Sequence, residues 1–277
     1  MATIVLALGC HPDDIEFMMA GTLFLLKEAG CGLHYMNLAN GSCGTTEFSA
    51  EEIVRIRSQE AQTAAQLLGA EYHASLATDL EVLYDQPLIR KVTAVVREVK
   101  PDILLLPSPE DYMEDHMNTC RIGVTAAFCR GMRNYATDPP REPTFQDVVL
   151  YHALPYGLRD GMRRRIRPEL VVDITSVMDM KEQMLACHQS QKRWLDESQG
   201  LDSYLITMRE MSAEVARMYG PAPRNPPHGA KGAKTSSGAF AFAEGWRRHS
   251  HLGYSEREID LLNEVLTTCA WKHRIEE

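Results

Sequence analysis

A histidine and two adjacent aspartates lie close to the start of the chain, in the run Cys10-His11-Pro12-Asp13-Asp14-Ile15-Glu16. An imidazole and a carboxylate three positions apart can turn to one divalent ion. The second carboxylate is then free to take a proton from water, the minimum equipment for metal-assisted hydrolysis. Catalytic zinc sites keep three protein ligands and one open position, so a third donor is expected. A second acidic run that ends in histidine, Asp111-Tyr112-Met113-Glu114-Asp115-His116, offers it. We therefore expect His11, Asp14 and His116 as metal ligands and Asp13 as general base. Asp115 is expected to orient a histidine ligand rather than bind the ion, and Glu16 to be a helix-dipole partner or an outer hydrogen-bond acceptor. The same groups accept zinc or another divalent metal such as Fe2+. The bland reading is a turn in which Asp14 caps a helix. The matching acidic run further along argues against it.

These residues need elements that bring them together. Residues 4–8 are apolar and read as a buried strand, so the first motif lies just past a strand end. Residues 15–29 read as a helix stopped by Gly30, and 33–38 as a second strand. Asn40-Gly41-Ser42-Cys43-Gly44 is a turn-rich loop. Ser49 and Glu52 have capping-box spacing and open a helix that ends at Gly69. A strand over 71–76, a helix over 86–99 and a strand over 103–106 follow. A polar loop carries the second motif, and a helix is expected over 118–131. Further on we expect strands over 148–153 and 171–174, and helices over 175–191, 201–219 and 255–273. The segment 220–238 is rich in Gly, Pro and Ser and reads as a loop. Alternating strands and helices predict an α/β fold: a Rossmann-like, open, mostly parallel sheet with helices on both faces. Where strand order reverses beside the first strand, the loops after strands one and four face each other across the switch point. Residues 1–195 are expected to form the α/β core. Residues 196–277 are expected to form a helical and loop extension on the same domain.

Composition bounds the partners. A net charge of -9 argues against nucleic acid as the main partner, and Arg159 to Arg167 reads as a solvated or subunit-contact surface, with an anion-binding role as the alternative. Seven cysteines, with no Cys-x-x-Cys pair, exclude a disulfide framework and a zinc ribbon, and reduced thiols fit a cytoplasmic protein. The apolar start lacks a positive region before it and reads as a core strand, not a signal peptide. No apolar run reaches the length of a membrane span.

At these residues the chain resembles the LmbE-like, or PIG-L, N-acetylglucosaminyl deacetylase family. The family's first motif is Ala-His-Pro-Asp-Asp-x-Glu, against Cys10-His11-Pro12-Asp13-Asp14-Ile15-Glu16 here. Gly21-Thr22, the glycine-rich loop from Asn40 to Thr45, Arg57-x-x-Glu60 with Leu68-Gly69, Asp79, and His188-Gln189-Ser190-Gln191 are similar as well. The resemblance implies zinc on His11, Asp14 and His116, Asp13 as base, and hydrolysis of an N-acetyl group on a small amino-sugar conjugate. It implies that Arg57, with Arg55 a rival, and Asp79 contact substrate. It also implies a homo-oligomer. One position departs: the family commonly has His-Pro-Asp-His in its second motif, and here the earlier histidine is Met113. That histidine stabilises the intermediate or protonates the leaving amine in the family. His152 is the first replacement candidate and His188 the second, with Tyr112, Asp115 or Asp13 itself as contributors. The run Phe242 to His249 is expected either to wall the pocket or to cover a sheet edge or subunit contact.

Two other readings stand beside this one. A metal-dependent amidase would act on a non-sugar N-acyl substrate. A non-catalytic Rossmann-like binding module is weaker, because the first turn lacks a Gly-x-Gly-x-x-Gly and puts carboxylates where a phosphate would bind.

Overall fold

The computed structural model describes residues 2–199, 204–221, 240–267 and 269–272. The chain runs β1 (Ile4–Gly9), α1 (Asp14–Met18), α2 (Ala20–Glu28), β2 (Gly32–Asn37), α3 (Ala50–Leu68), β3 (Glu71–His73), α4 (Gln86–Val99), β4 (Ile103–Leu106) and α5 (Glu114–Cys129). It continues through β5 (Val149–Ala153), β6 (Leu170–Asp173), α6 (Met178–Leu185), α7 (Gln189–Gln199), α8 (Tyr204–Tyr219), β7 (Ala243–Arg248), α9 (Leu261–Val265) and β8 (Ala270–Lys272). Among the described residues no helix is long and apolar enough to cross a membrane.

One eight-stranded sheet has the order β3-β2-β1-β4-β5-β7-β6-β8. The first five strands pair in parallel. The remaining ladders are antiparallel, so the sheet is mixed rather than parallel throughout. The order reverses between β1 and β4, which sets the loops after those strands side by side. Strand alternation divides the core. In β1, Val5 and Ala7 face one apolar cluster with α2, while Leu6 and Leu8 face the other with α4. All four are fully buried, as expected of a central parallel strand covered on both faces.

Local signals set several boundaries. Both bonds of the Ser49/Glu52 capping box form, and Gly69 ends α3 in the left-handed region. The Asp85 side chain accepts from the Leu88 amide to start α4.

Other boundaries differ from expectation for reasons of tertiary contact. The helix expected over 15–29 breaks at Met19, because the Glu244 carboxylate takes the amides of Gly21 and Thr22 at 2.9 and 2.7 Å. The helix expected from 118 begins at Glu114, which puts Asp115 and His116 in its first turn. The helix expected over 175–191 divides into α6 and α7. The helix expected over 255–273 does not form: α9 starts after Asp260, which accepts the Tyr151 hydroxyl at 2.9 Å, and β8 joins the sheet instead. The strand expected over 71–76 stops at His73. Past residue 221, the loop expected over 220–238 lies outside the described residues.

The tail contributes to the sheet interior. β7 lies between β5 and β6, and none of its residues line the cavity described below. Of the two readings of Phe242 to His249, the pocket wall is thus not what these residues form.

Candidate metal and active site

The turn after β1 holds its shape through Asp14. Its Oδ2 accepts from the amides of Cys10 and His11 at 3.1 and 2.7 Å. Asp13 adopts φ 119°, a backbone conformation that a non-glycine residue rarely takes. Arg57, buried in α3, donates through Nη2 to the Pro12 carbonyl at 2.5 Å and through Nη1 to the Gly41 carbonyl at 3.4 Å. It thereby holds the peptide next to the strained residue. The glycine-rich loop closes over this guanidinium. A Cβ at Gly41, which has φ +77°, would fall 2.6 Å from Arg57. Asp79 braces the same loop, accepting the amides of Gly41 and Cys43 at 2.6 and 2.9 Å.

Three donor atoms from the turn into α1 and from the first turn of α5 converge. His11 Nδ1 lies 3.3 Å from His116 Nε2 and 3.7 Å from Asp14 Oδ2, and His116 Nε2 lies 3.4 Å from Asp14 Oδ2. These separations are those of ligands grouped around one ion at about 2 Å from each. The opposite nitrogen of each ring faces a carboxylate: His11 Nε2 is 3.2 Å from Asp115 Oδ2, and His116 Nδ1 is 3.1 Å from Asp111 Oδ1. Such partners fix tautomer and ring orientation at metal sites. Asp115 Oδ2 also accepts the Leu80 amide at 2.7 Å, tying the Asp79 loop to the same ring. The Cys10 thiol approaches His11 from behind, 3.8 Å from Nε2, and burial pushes it up to about 11. That nitrogen faces Asp115 and not the donor triangle, although Cys10 lies close enough to His11 and Asp14 to share an ion with them.

Burial would raise the Asp14 carboxyl, but His116 and His11 beside it hold it well below the ordinary carboxylate range. Asp13 behaves oppositely. Burial raises its carboxyl, only partly offset by Arg57, whose Nη2 is 3.6 Å from Oδ2. The Tyr204 hydroxyl donates to the same Oδ2 at 2.6 Å. Tyr204 reaches the site from α8, far along the sequence, and no local pattern marked it.

His11, Asp13, Asp14, Asp111, His116 and Tyr204 border a cavity of about 730 Å³. Phe17, Tyr112, Tyr156 and Trp194 form its apolar wall, and Arg57, Asp79 and Met113 also line it. Arg55 instead borders a separate surface groove with Gln59 and Thr63.

The structure does not bring His152 or His188 to this cavity. His152 is buried in β5, with Nδ1 3.2 Å from the Pro107 carbonyl and Nε2 2.9 Å from His249 Nδ1. Its ring is engaged on both sides and belongs to a different pocket. His188 is fully buried behind the site, with Nε2 3.3 Å from Glu16 Oε1 but without a hydrogen bond's alignment. Burial opposes its protonation, yet Glu16 and Asp13 raise its pKa. Glu16 itself accepts the Tyr35 hydroxyl at 3.0 Å.

His152 gives a pH prediction for stability. Burial, then His249, lowers its pKa from the ordinary 6.5 to about 4. As pH falls below 6.5 the unfolded chain binds this proton first, so stability declines until pH reaches about 4. The expected loss is about 3 kcal/mol at 1.36 kcal/mol per pH unit. Urea titrations across this range should show a shallower decline in His152→Gln. An identical slope in both proteins would remove His152 as the cause.

The sequence pattern of GlcNAc-PI de-N-acetylase, the PIG-L family, matches residues 6–127. The chain is 30% identical over 195 residues to diacetylchitobiose deacetylase of Thermococcus kodakarensis, spanning 68% of this chain and 69% of that protein. The chain belongs to the PIG-L family of enzymes. A further relative, 4-oxalmesaconate hydratase of Pseudomonas putida, is 25% identical over 195 residues, 68% of this chain and 73% of that one. The fold matches the solved N,N'-diacetylchitobiose deacetylase of Pyrococcus horikoshii with a TM-score of 0.69 and 22% identity, over 94% of this chain and 89% of that one. Two PIG-L motifs meet in space here. Glu60 of Arg57-x-x-Glu60 accepts the Ser190 amide and hydroxyl at 2.8 and 2.6 Å. The carboxylate thus sits at the start of α7, where helix amides and dipole favour it.

Proposed function

We propose that this chain is a metal-dependent N-deacetylase, with His11, Asp14 and His116 as ligands and a small N-acetylated amino-sugar conjugate as substrate. The observation that carries the reading is the donor triangle with Asp13 beside it at one cavity. Two imidazoles and a carboxylate suit zinc, with Fe2+ accepted by the same set. A bound divalent ion polarises an acyl oxygen and makes water a stronger acid.

The protein residues have separate tasks. Asp13 takes a proton from the water that attacks the acetyl carbon. The C–N bond then breaks, and Asp13 returns that proton to the leaving nitrogen, giving acetate and a free amine. This assignment needs no second acid, which accommodates Met113 and the distant placement of His152 and His188. Tyr204 and Arg57 both engage Asp13 Oδ2 and so hold the carboxylate in one orientation. The Phe17, Tyr112 and Tyr156 rings offer apolar surface to a sugar ring. Asp79 acts through the loop amides it holds rather than through a free carboxylate.

Charge favours an uncharged acetamide over a polyanion. Among the described residues, five aspartates line the cavity against Arg57 and Arg159. A divalent ion and the two arginines together offset four of these five charges, so a substrate with several carboxylates still meets a slight excess of negative charge there. The T. kodakarensis relative is named for an acetylated sugar, which supports the same choice.

The test is a panel of N-acetylated sugars, N-acetylated amino acids and 4-oxalmesaconate, assayed with chelator-treated and zinc-loaded protein. Acetate release from sugars, dependent on added zinc, is the expected result. Release only from amino acids would move the reading to a non-sugar amidase. Hydration of 4-oxalmesaconate without acetate release would overturn it.

A further inference from the structure

A second cluster of ligating side chains lies at the opposite edge of the sheet from β8, on β2 and β3. In the parallel ladder His34 faces Glu71, and His73 stands opposite Met36. Alternation along a strand puts His34, Glu71 and His73 on one face. His34 Nδ1 is 2.9 Å from His73 Nε2 and 3.8 Å from Glu71 Oε2, and all three residues place a donor within 4.8 Å of the others. Ligands at zinc distances in a tetrahedron are about 3.3 Å apart, so the observed separations bracket that value. We propose that His34, Glu71 and His73 form a second divalent-metal site of the zinc class, clipping edge strand β3 to β2.

The surroundings suit this role. Both rings are partly buried, which orders their nitrogens toward one point. The Glu71 side chain is 70% exposed, so an ion there keeps an outward position for water. Glu98 adds negative potential at His73 while its own carboxylate is held by Arg141 at 2.9 Å. β3 has only three residues and pairs with β2 alone. It leads into the segment carrying Asp79, which braces the glycine-rich loop, so a clip here would stiffen that connection. Two imidazoles and one carboxylate select zinc, copper or nickel over magnesium and calcium.

The test counts metal on the full chain. Chelator-treated protein is dialysed against zinc, and bound metal is measured by mass spectrometry. The wild-type chain should hold two ions. A His34→Gln, His73→Gln double variant should hold one and retain its acetate-release rate, since neither residue borders the cavity. His116→Ala should keep the β2/β3 ion. Loading that variant with copper should give an electron paramagnetic resonance spectrum with splitting from two imidazole nitrogens. One wild-type ion lost in His116→Ala, or a second ion that survives in the double variant, would overturn the proposal. One ion lost only in the double variant would support it and reject the cavity ligands instead.

Discussion

Asp13→Asn will lose turnover by roughly 10²–10⁴-fold, the usual worth of a positioned acid–base group, while its metal content stays that of the wild type. The substitution is nearly isosteric. Asn is also among the few non-glycine residues that tolerate positive φ, so the strained turn at Asp13 survives it. The amide oxygen can still accept from Tyr204. What it cannot do is take and return a proton. The loss should therefore fall on kcat rather than on KM, because the group acts on the reacting atoms rather than on ground-state binding. Asp13→Ala is the less informative variant, since it combines the missing base with an unsupported backbone. Steady-state kinetics on the best sugar of the panel, with metal measured on the same samples, decide the matter. Full turnover at full metal occupancy would remove Asp13 from the chemistry.

Much of this site was legible because its chemistry lies close together in sequence. His11, Asp13 and Asp14 share one turn, and a strand of apolar residues marks where that turn falls. His116 was reachable because strand order in an open α/β sheet sets the loops after β1 and β4 side by side. The capping box at Ser49 and the glycine stop at Gly69 are local rules, and they hold at both ends of α3.

Long-range contacts explain what local pattern did not show. Tyr204 touches Asp13 across 191 positions of sequence. His152 carried the right chemistry on the right strand. Alternation alone does not say that its ring packs against Pro107 and His249 on a separate pocket. Asp79 was expected to meet substrate; it lines the cavity, and sequence did not show that its oxygens also accept the Gly41 and Cys43 amides. The break between α1 and α2 is the clearest case, because residues 15–29 read as one uninterrupted helix. Its cause is a carboxylate on β7, a strand the sequence did not indicate at all.

That carboxylate supports the prediction with the largest effect on stability. Glu244 is 3% exposed and Lys181 fully buried, and Lys181 Nζ lies 2.6 Å from Glu244 Oε1. The same carboxylate accepts the amides of Gly21 and Thr22 at the start of α2. Trp246, also on β7, donates from its indole nitrogen to Thr22 Oγ1 at 3.0 Å, so two groups anchor this helix end. Removing one member of a buried ion pair costs about 3–5 kcal/mol, because the remaining charge has no solvent and no partner. Glu244→Leu should lie at or above the top of that range, since it also leaves two backbone donors unpaired, at about 1–3 kcal/mol each when buried. Lys181→Met should cost less, because the carboxylate keeps both amides. The double variant removes both charges together and leaves only the amides without a partner. Its loss should fall short of the sum of the single losses by roughly 2–3 kcal/mol, within the range seen for directly coupled residues. Urea unfolding of the four proteins gives the cycle. Additive losses would mean that the ammonium and carboxylate act independently, and that the helix amides alone account for the role of Glu244.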